Sequence, residues 1–321
     1  MPLPRKVNFS QPSVWPAVHH ARTNPPAENP QEIKSWIHLQ HVPSVFDTAV
    51  ANKIDKVVDD HLGTTEAWLA ISGERHLGKT NATTAVLVRR SLTGHTPWRT
   101  KQTSGWRYVP YVFVEATSNP TAKMVMREAC RFLGLPTSGD EGVLRARLCD
   151  NLPQMGVIAI VVDEGQNFRR KSATAKAVAD GLRGLLHLPV PMIYSGLDLR
   201  ESALLKQFND IDDSAGQLIE RAQVLDLSKL GDAQGFAEIG RLVRAFGQRL
   251  TLIDEYTAPA LTDNDLVQTL IIDHEGRPGS ILETLKKAAV EAVNTDRCLT
   301  TDLVAARLAD TRAAKEPGAA A

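Results

Sequence analysis

The feature that most constrains the fold is a glycine-rich octapeptide between an apolar segment and a helical one. It reads Gly73-Glu74-Arg75-His76-Leu77-Gly78-Lys79-Thr80 and matches the pattern G-x-x-x-x-G-K-[ST]. The run AWLAIS at 67–72 precedes it as an expected buried strand, and a helix is expected to begin near Asn81. Glycines let such a loop turn its backbone N–H groups toward a phosphate, and the helix start adds partial positive charge. The sequence therefore predicts a phosphate-binding loop. A turn that binds nothing is the alternative.

The last residues of this loop have distinct expected tasks. The ammonium group of Lys79 would reach the β- and γ-phosphates of a nucleotide, and the hydroxyl of Thr80 would bind Mg²⁺. ATP and Mg²⁺ are therefore the expected cofactors. The residues expected to hold the nucleotide are Gly73, Glu74, Arg75, His76, Leu77, Gly78, Lys79, Thr80 and Asn81.

A second candidate feature is an apolar run at 157–162 that ends in two acids, Asp163 and Glu164. Two acids there are costly unless they have a task at the carboxyl edge of a parallel sheet, where such sheets bind ligands. We expect Asp163 to orient the Mg²⁺ shell and Glu164 to polarise the water that attacks the γ-phosphate. The alternative is an acid pair that faces solvent.

Two short matches to guanine-nucleotide motifs do not fit their context. The tetrapeptide Asn52-Lys53-Ile54-Asp55 spells N-K-x-D but precedes the phosphate loop, whereas GTPases carry it on a later strand. The run that begins at Asp163 is one residue too short for the D-x-x-G-Q switch. Adenine is therefore the expected base.

Three further polar residues are candidates for the same site. Ser195 ends the apolar run VPMIYSG and could contact the γ-phosphate or its water. Arg221 precedes the last expected strand, where ring-forming ATPases place an arginine that reaches the neighbouring subunit's nucleotide. Arg277 precedes Pro278 at an expected helix start and could close a helical domain over the phosphates. For both arginines the alternative is an ordinary surface position.

The order of apolar and amphipathic segments predicts an α/β fold. Buried-strand patterns at 67–72, 108–116, 157–162, 190–196 and 222–227 alternate with helical ones, which is typical of a parallel sheet covered by helices. Helical periodicity alone follows, at 233–250, 263–273, 279–293 and 301–309. The expected division is a flexible proline-rich arm at 1–31, an α/β domain with a helical lead-in at 32–228, a helical lid at 229–310 and a disordered tail at 311–321. Trp15, in the arm, is expected to have no defined role.

Composition excludes several classes of protein. No apolar run approaches the roughly 18 residues of a membrane span, and the start of the chain is polar and proline-rich. We therefore expect a cytoplasmic protein without a membrane partner. The three cysteines lack paired spacing, which argues against a zinc site or a disulfide framework. The formal net charge is zero, so any nucleic-acid surface has to be local.

One long window provides such a local surface. From Arg75 to Val114 the chain contains no Asp or Glu. Within it, the segment GHTPWRTKQTSGWRY interleaves tryptophans with basic and hydroxyl residues that suit phosphate contacts. The expected DNA contacts are Arg99, Lys101, Thr103 and Arg107. A solvated hairpin whose tryptophans cover the sheet edge is the alternative.

Residues 33–295 resemble the AAA+ transposition regulators called TniB and TnsC, with the phage protein MuB a more distant relative. The resemblance lies in the lead-in KSWIHLQHVPSVFDTAVANKIDKVV, the loop GERHLGKT, the segment YVFVEATSNPTAKMVMREACRFLGLP, the acid pair in VVDEGQNF, and EGRPGSILETLKKAAVEA. It implies a P-loop AAA+ fold and an ATPase that assembles as a ring or helical filament on duplex DNA. It also implies that the oligomer recruits or stimulates a DDE-type transposase. The proline-rich arm and Gly165 depart from the family pattern.

Two other classes of function stay open at this point. A helicase loader or insertion-sequence helper ATPase would share the nucleotide site but act on a replicative helicase or a single strand. A signalling or defence NTPase would use nucleotide binding to switch an interaction surface. A neighbouring transposase gene would favour the transposition regulator.

Overall fold

The computed structural model describes residues 8–26, 29–61, 68–93, 109–117, 120–168, 184–201, 222–250, 261 and 263–315. Its strands are β1 (Trp68–Gly73), β2 (Tyr111–Glu115), β3 (Ala159–Asp163), β4 (Met192–Leu197) and β5 (Ala222–Leu227). They form one sheet in the order β2-β3-β4-β1-β5, and every strand pair is parallel. The α/β prediction is confirmed.

Ten α-helices accompany the sheet in the described part of the chain. They are α1 (Trp15–Thr23), α2 (Pro30–Leu39), α3 (Val45–His61), α4 (Lys79–Thr93), α5 (Ala122–Leu133), α6 (Glu141–Asn151), α7 (Ala233–Leu250), α8 (Asn264–Asp273), α9 (Pro278–Asn294) and α10 (Thr301–Lys315). The four helical segments predicted after the last strand are confirmed as α7 to α10. Helix α10 continues to Lys315, so residues 311–315 are helical and the expectation of disorder is wrong for them. None of the helices described is long and apolar enough to cross a bilayer.

The sheet is the centre of the larger hydrophobic core. Nearly every residue of β1 to β4 is buried, which is the pattern of strands covered on both faces. Side chains from α3, α4 and α5 pack in this same core. The buried hydroxyl of Thr84 donates to the Thr80 carbonyl at 2.7 Å, so a polar residue on the inner face of α4 is satisfied. A fixed α4 holds the end of the phosphate loop against the sheet.

The N-terminal segment differs from the flexible arm expected over residues 1–31. Residues 12–14 form a 3₁₀ turn that leads into α1. Trp15 is only 4% exposed, and its ring meets the edge of Phe132 at 5.6 Å between centroids. Its indole N–H donates to the Phe9 carbonyl at 2.9 Å. The expectations of a flexible arm and of an idle tryptophan are therefore wrong for this stretch, because one aromatic anchor with a satisfied N–H offsets the entropy of ordering it.

We predict that Trp15→Ala destabilises the protein by about 3 kcal/mol, since it removes a large buried ring and leaves a cavity beside Phe132. Denaturant unfolding with Ser13→Ala, an exposed change in the same segment, as control measures the difference. An unchanged midpoint for Trp15→Ala would show that residues 8–26 do not unfold with the sheet.

A second hydrophobic core lies among α7, α8, α9 and α10, and it includes one helix from the start of the chain. Trp36 and Ile37 of α2 are buried with Phe246 and Leu285 of this second core. The lead-in was predicted to belong wholly to the α/β domain, but only α3 packs on the sheet. Helix α2 therefore bridges the α/β core and the helical lid.

Candidate functional site: a cleft between the phosphate loop and the lid

The phosphate loop follows β1 in the expected way, and two glycines make its turn possible. Gly73 has φ +153° and Gly78 has φ +92°, a region that side chains rarely adopt. A Cβ on Gly73 would lie 2.6 Å from the Leu227 carbonyl oxygen at the end of β5. Leu77 anchors the loop in the core at 1% exposure. The loop is thus fixed against the sheet, and α4 begins directly at Lys79.

Lys79 stands at the centre of this loop. Its ammonium group donates to the carbonyl oxygens of Gly73 at 2.8 Å and Glu74 at 2.6 Å. Burial lowers the pKa of Lys79, and the charges of Asp163, Glu164 and other acids oppose this effect. A partly desolvated cation whose hydrogen bonds, among the described residues, go to two neutral carbonyls can exchange them for a charged phosphate oxygen.

Thr80 and Asp163 meet although they lie far apart in sequence. The Thr80 hydroxyl donates to the Asp163 carboxylate at 2.7 Å. Burial raises the pKa of Asp163, and the hydroxyls of Thr80 and then Ser195 oppose this rise. Ser195 is fully buried on β4, close enough to Asp163 to affect its pKa but outside the geometry of a full hydrogen bond. Thr80 and Asp163, the two residues expected to bind Mg²⁺, are therefore adjacent in the structure.

Glu164 is held in an unusual conformation beside them. Its backbone is left-handed, with φ 60° and ψ 35°, which costs a non-glycine residue about 1–3 kcal/mol. Its carboxylate accepts a hydrogen bond from the side-chain amide of Gln166. The Gln166 carbonyl oxygen in turn accepts from the Leu197 N–H at 2.8 Å. Gln166 therefore connects the expected general base to the end of β4.

The helical lid is attached directly to the phosphate loop. The Gly279 N–H donates to the His76 carbonyl at 2.9 Å, and a Cβ on Gly279 would lie 2.6 Å from that oxygen. Arg277 pairs with Glu74 at 2.8 Å and with Glu275 at 2.9 Å. In this structure Arg277 thus binds the lid to the loop.

These elements enclose a cleft of about 680 Å³. The residues predicted to hold nucleotide or metal that line it are Arg75, His76, Gly78, Lys79, Thr80, Asn81, Asp163 and Glu164. The remaining predicted residues in the described part, namely Gly73, Glu74, Leu77, Ser195 and Arg277, support these from outside the lining. Their roles toward a nucleotide stay predictions.

The cleft suits ATP and Mg²⁺ chemically. Its floor combines a loop with open space at Gly78, where a Cβ would meet nothing within 4 Å, and a lysine that donates to two backbone carbonyls. Thr80 and Asp163 offer the oxygen donors that Mg²⁺ prefers, in a site roomy enough for the waters it keeps. Thr80 and Asp163 would hold the ion, which supplies positive charge to a phosphoryl group.

Sequence reasoning missed eight residues of the lining. These are His38, Gln166, Gly196, Leu197, Gly279, Leu282, Glu283 and Lys286. A signal for four of them exists, because positions 279, 282, 283 and 286 share one face of a helix. Once Gly279 is known to touch the loop, the other three follow along α9.

Comparison with known proteins agrees with this geometry. Residues 62–198, which contain the loop, both acids and β4, match the model of a family described as AAA domain. The fold is that of AAA+ P-loop proteins. No curated protein matches the sequence.

Several solved structures share this AAA+ fold at low sequence identity. The Aeropyrum pernix Orc1 protein in complex with DNA has a TM-score of 0.52 and 18% identity, over 84% of this chain and 67% of that one. Drosophila ORC bound to DNA has a TM-score of 0.51 and 14% identity, over 94% and 74%. Domain III of the Thermotoga maritima replication initiation protein DnaA has a TM-score of 0.50 and 12% identity, over 84% and 94%.

Five predicted site residues lie outside the described residues. They are the expected arginine finger, Arg221, and the expected DNA contacts Arg99, Lys101, Thr103 and Arg107. Their roles stay predictions.

Proposed function

We propose that this protein is a Mg²⁺-dependent ATPase that assembles on duplex DNA and regulates transposition. The observation that carries the ATPase proposal is the convergence of Lys79, Thr80, Asp163 and Glu164 on one cleft. A loop backbone and a lysine would bind phosphates there, and two acids line the same cleft beside Thr80. This is the arrangement that phosphoryl transfer to water requires.

The residues of the cleft have separate roles in binding phosphate, accepting a proton and excluding water. Lys79 leaves its two carbonyl partners for a phosphate oxygen, which is a stronger acceptor because it is charged. Glu164, as carboxylate, takes a proton from the attacking water, and Gln166 fixes the direction of that carboxylate. Closure of α9 on the loop through Gly279 excludes bulk water from the reacting groups.

Three observations support action on DNA and transposition. The resemblance to TniB and TnsC implies both. Two structures that share the fold, Orc1 and Drosophila ORC, were determined with DNA. The acid-free window supplies local positive charge in a chain of zero net charge. A homo-oligomer, as a ring or filament, would present many copies of this segment along one duplex.

The likeness to Orc1 and DnaA favours a second candidate, a replication-type loader that acts on a helicase. The two candidates differ in the partner and not in the nucleotide site. Stimulation of a DDE-type transposase by the ATP-bound oligomer on duplex DNA would support the first candidate. Preferential binding to single strands together with stimulation of a replicative helicase would support the second.

We predict that alanine at Arg99, Lys101 and Arg107 together flattens the salt dependence of duplex binding. Each lost phosphate contact lowers the slope of log affinity against log salt by about 0.9, so the slope should fall by about 2.7. Binding should depend little on sequence, since phosphate contacts carry no base information. Salt titrations on two duplexes of unrelated sequence, with and without a non-hydrolysable ATP analogue, measure both effects.

The matched control for this variant is Arg241→Ala, Lys287→Ala and Arg131→Ala together, three exposed cations on α7, α9 and α5. The control should keep the slope of the wild type, and both variants should still bind ATP. An equal slope for the wild type and the segment variant would favour the alternative interpretation of residues 94–108, a solvated hairpin that does not contact DNA. The proposal of DNA binding would then depend on resemblance alone.

A further inference from the structure

Lys286 is the lid lysine that lines the nucleotide cleft. It lies on α9 two turns beyond Gly279 and lines the cleft with Lys79 and Glu164. It also lines an adjoining chamber of about 320 Å³, which Thr80 and Asp163 share. Its ammonium group donates to the His38 carbonyl near the end of α2 at 3.0 Å. One flexible cation therefore faces both the loop and the acid pair from the lid side.

The surroundings of Lys286 are unusual for a lysine. Burial and, to a smaller extent, the nearby charge of Arg22 together lower its pKa to about 8, and the charge of Glu283 opposes both effects. Arg22 is desolvated as well and donates to the next carbonyl of α2, that of Leu39, at 3.0 Å. Two cations from different helices thus crowd the same helix end beside the cleft. Their repulsion and desolvation would be relieved by an anion.

The neighbouring lysine on α9, Lys287, lies in the solvated environment that is usual for a lysine. Lys287 is exposed and pairs with Glu283 at 2.8 Å. Glu283 therefore has a partner of its own, and the ion pairs found in the described residues do not include one for Lys286. A structural role remains as the plain alternative, because cations stabilise the C-terminal end of a helix such as α2.

We propose that Lys286 leaves the His38 carbonyl when a nucleotide binds and donates to one of its phosphate oxygens, as a lid-borne ligand opposite Lys79. The proposal rests on the ATPase function proposed above and deepens it. Binding of a polyphosphate would then break the hydrogen bond between Lys286 and the end of α2, and this would couple closure of the lid to the position of α2. Lys286 becomes a residue through which the lid detects an occupied site.

The test compares Lys286→Met, which keeps the length of the side chain, with Lys287→Met. Calorimetric titrations use two probes, ATP and inorganic tripolyphosphate. Loss of one charge-assisted hydrogen bond should weaken both probes by about tenfold to hundredfold in Lys286→Met and leave Lys287→Met unchanged. Weakening of ATP alone would place Lys286 at the base or sugar, and no weakening would make it a helix cap. Either outcome overturns the proposal.

Proton uptake in the wild-type chain gives a second readout that does not depend on the variant's folding. The charged and titratable groups around Lys286 are Arg22 on α1, His38 on α2, Glu283 on its own helix, Glu115, Asp163 and Glu164 across the adjoining chamber, and Arg75, His76 and Lys79 across the cleft. A phosphate raises the pKa of Lys286 from about 8, so binding at pH 8 should take up about half a proton on this residue.

Titrations at pH 8 in buffers of different ionisation enthalpy measure this uptake. Affinity should fall as the pH rises above 8, and Lys286→Met should lose that part of the uptake while Lys287→Met keeps it. Equal uptake in all three proteins would overturn the proposal, because the proton would then bind elsewhere, for example at Lys79. Absence of ATP and tripolyphosphate binding in the wild type would instead refute the ATPase function itself.

Discussion

Lys79→Ala should abolish most nucleotide affinity, whereas Glu164→Gln should bind ATP as tightly as the wild type and turn it over about 10²–10⁴-fold more slowly. The two residues share one cleft but face different parts of the reaction. In the proposed mechanism Lys79 holds a phosphate in the ground state and the transition state alike, so its loss should remove binding. Glu164 is proposed to act on the water, so the isosteric amide should spare binding and remove the proton acceptor. Equilibrium titration with ATP and single-turnover hydrolysis separate these effects.

Matched controls for this pair lie on exposed helical faces. Lys56→Ala on α3 and Glu32→Gln on α2 remove the same charges outside the cleft, and both should leave affinity and turnover unchanged. Equal loss of ATP affinity in Lys79→Ala and Glu164→Gln would contradict the separate roles. It would indicate that the carboxylate and Gln166 hold the shape of the cleft rather than activate water.

Arg221→Ala should lower hydrolysis by the assembled protein by about 10³-fold and leave ATP binding by the monomer intact. An arginine that enters a neighbour's site stabilises charge in the transition state of phosphoryl transfer, an effect of roughly 10³–10⁵ in rate. The prediction comes from the position of Arg221 just before β5. Steady-state turnover of protein assembled on DNA, together with ATP titration of dilute monomer, measures it.

Mixing variants tests whether this arginine acts between subunits. Arg221→Ala supplies an intact pocket and Lys79→Ala an intact finger, so mixed oligomers should regain part of the activity that each variant lacks. Rescue should be strongest near equal amounts, where random mixing gives the largest share of interfaces between unlike subunits. If no ratio restores turnover, Arg221 does not act in trans.

Local chemistry explains why the sequence alone predicted the part of the cleft formed by the phosphate loop and by Asp163 and Glu164. The phosphate loop needs glycines, a lysine and a hydroxyl at fixed spacing between a strand and a helix. That pattern can be recognised in the sequence without the structure. The two acids can also be recognised in the sequence, because placing charge at the end of a buried apolar strand is costly unless the charge has a partner or a function. Thr80 and Asp163 accordingly meet at 2.7 Å. The parallel sheet followed equally from the alternation of apolar and amphipathic segments.

Only the tertiary structure decided the half of the cleft contributed by the lid and the start of the chain. Trp15 looks idle in sequence, since its partner Phe132 is far along the chain. Arg277 is predicted from sequence to close the lid over the phosphates, and only the structure shows that it pairs with Glu74 of the loop. Lys286 and Lys287 are adjacent lysines, and only the packing of α9 on the loop shows which of them lines the cleft and which is exposed. Such contacts join residues with no local pattern in common, so burial and charge in the folded protein determine them.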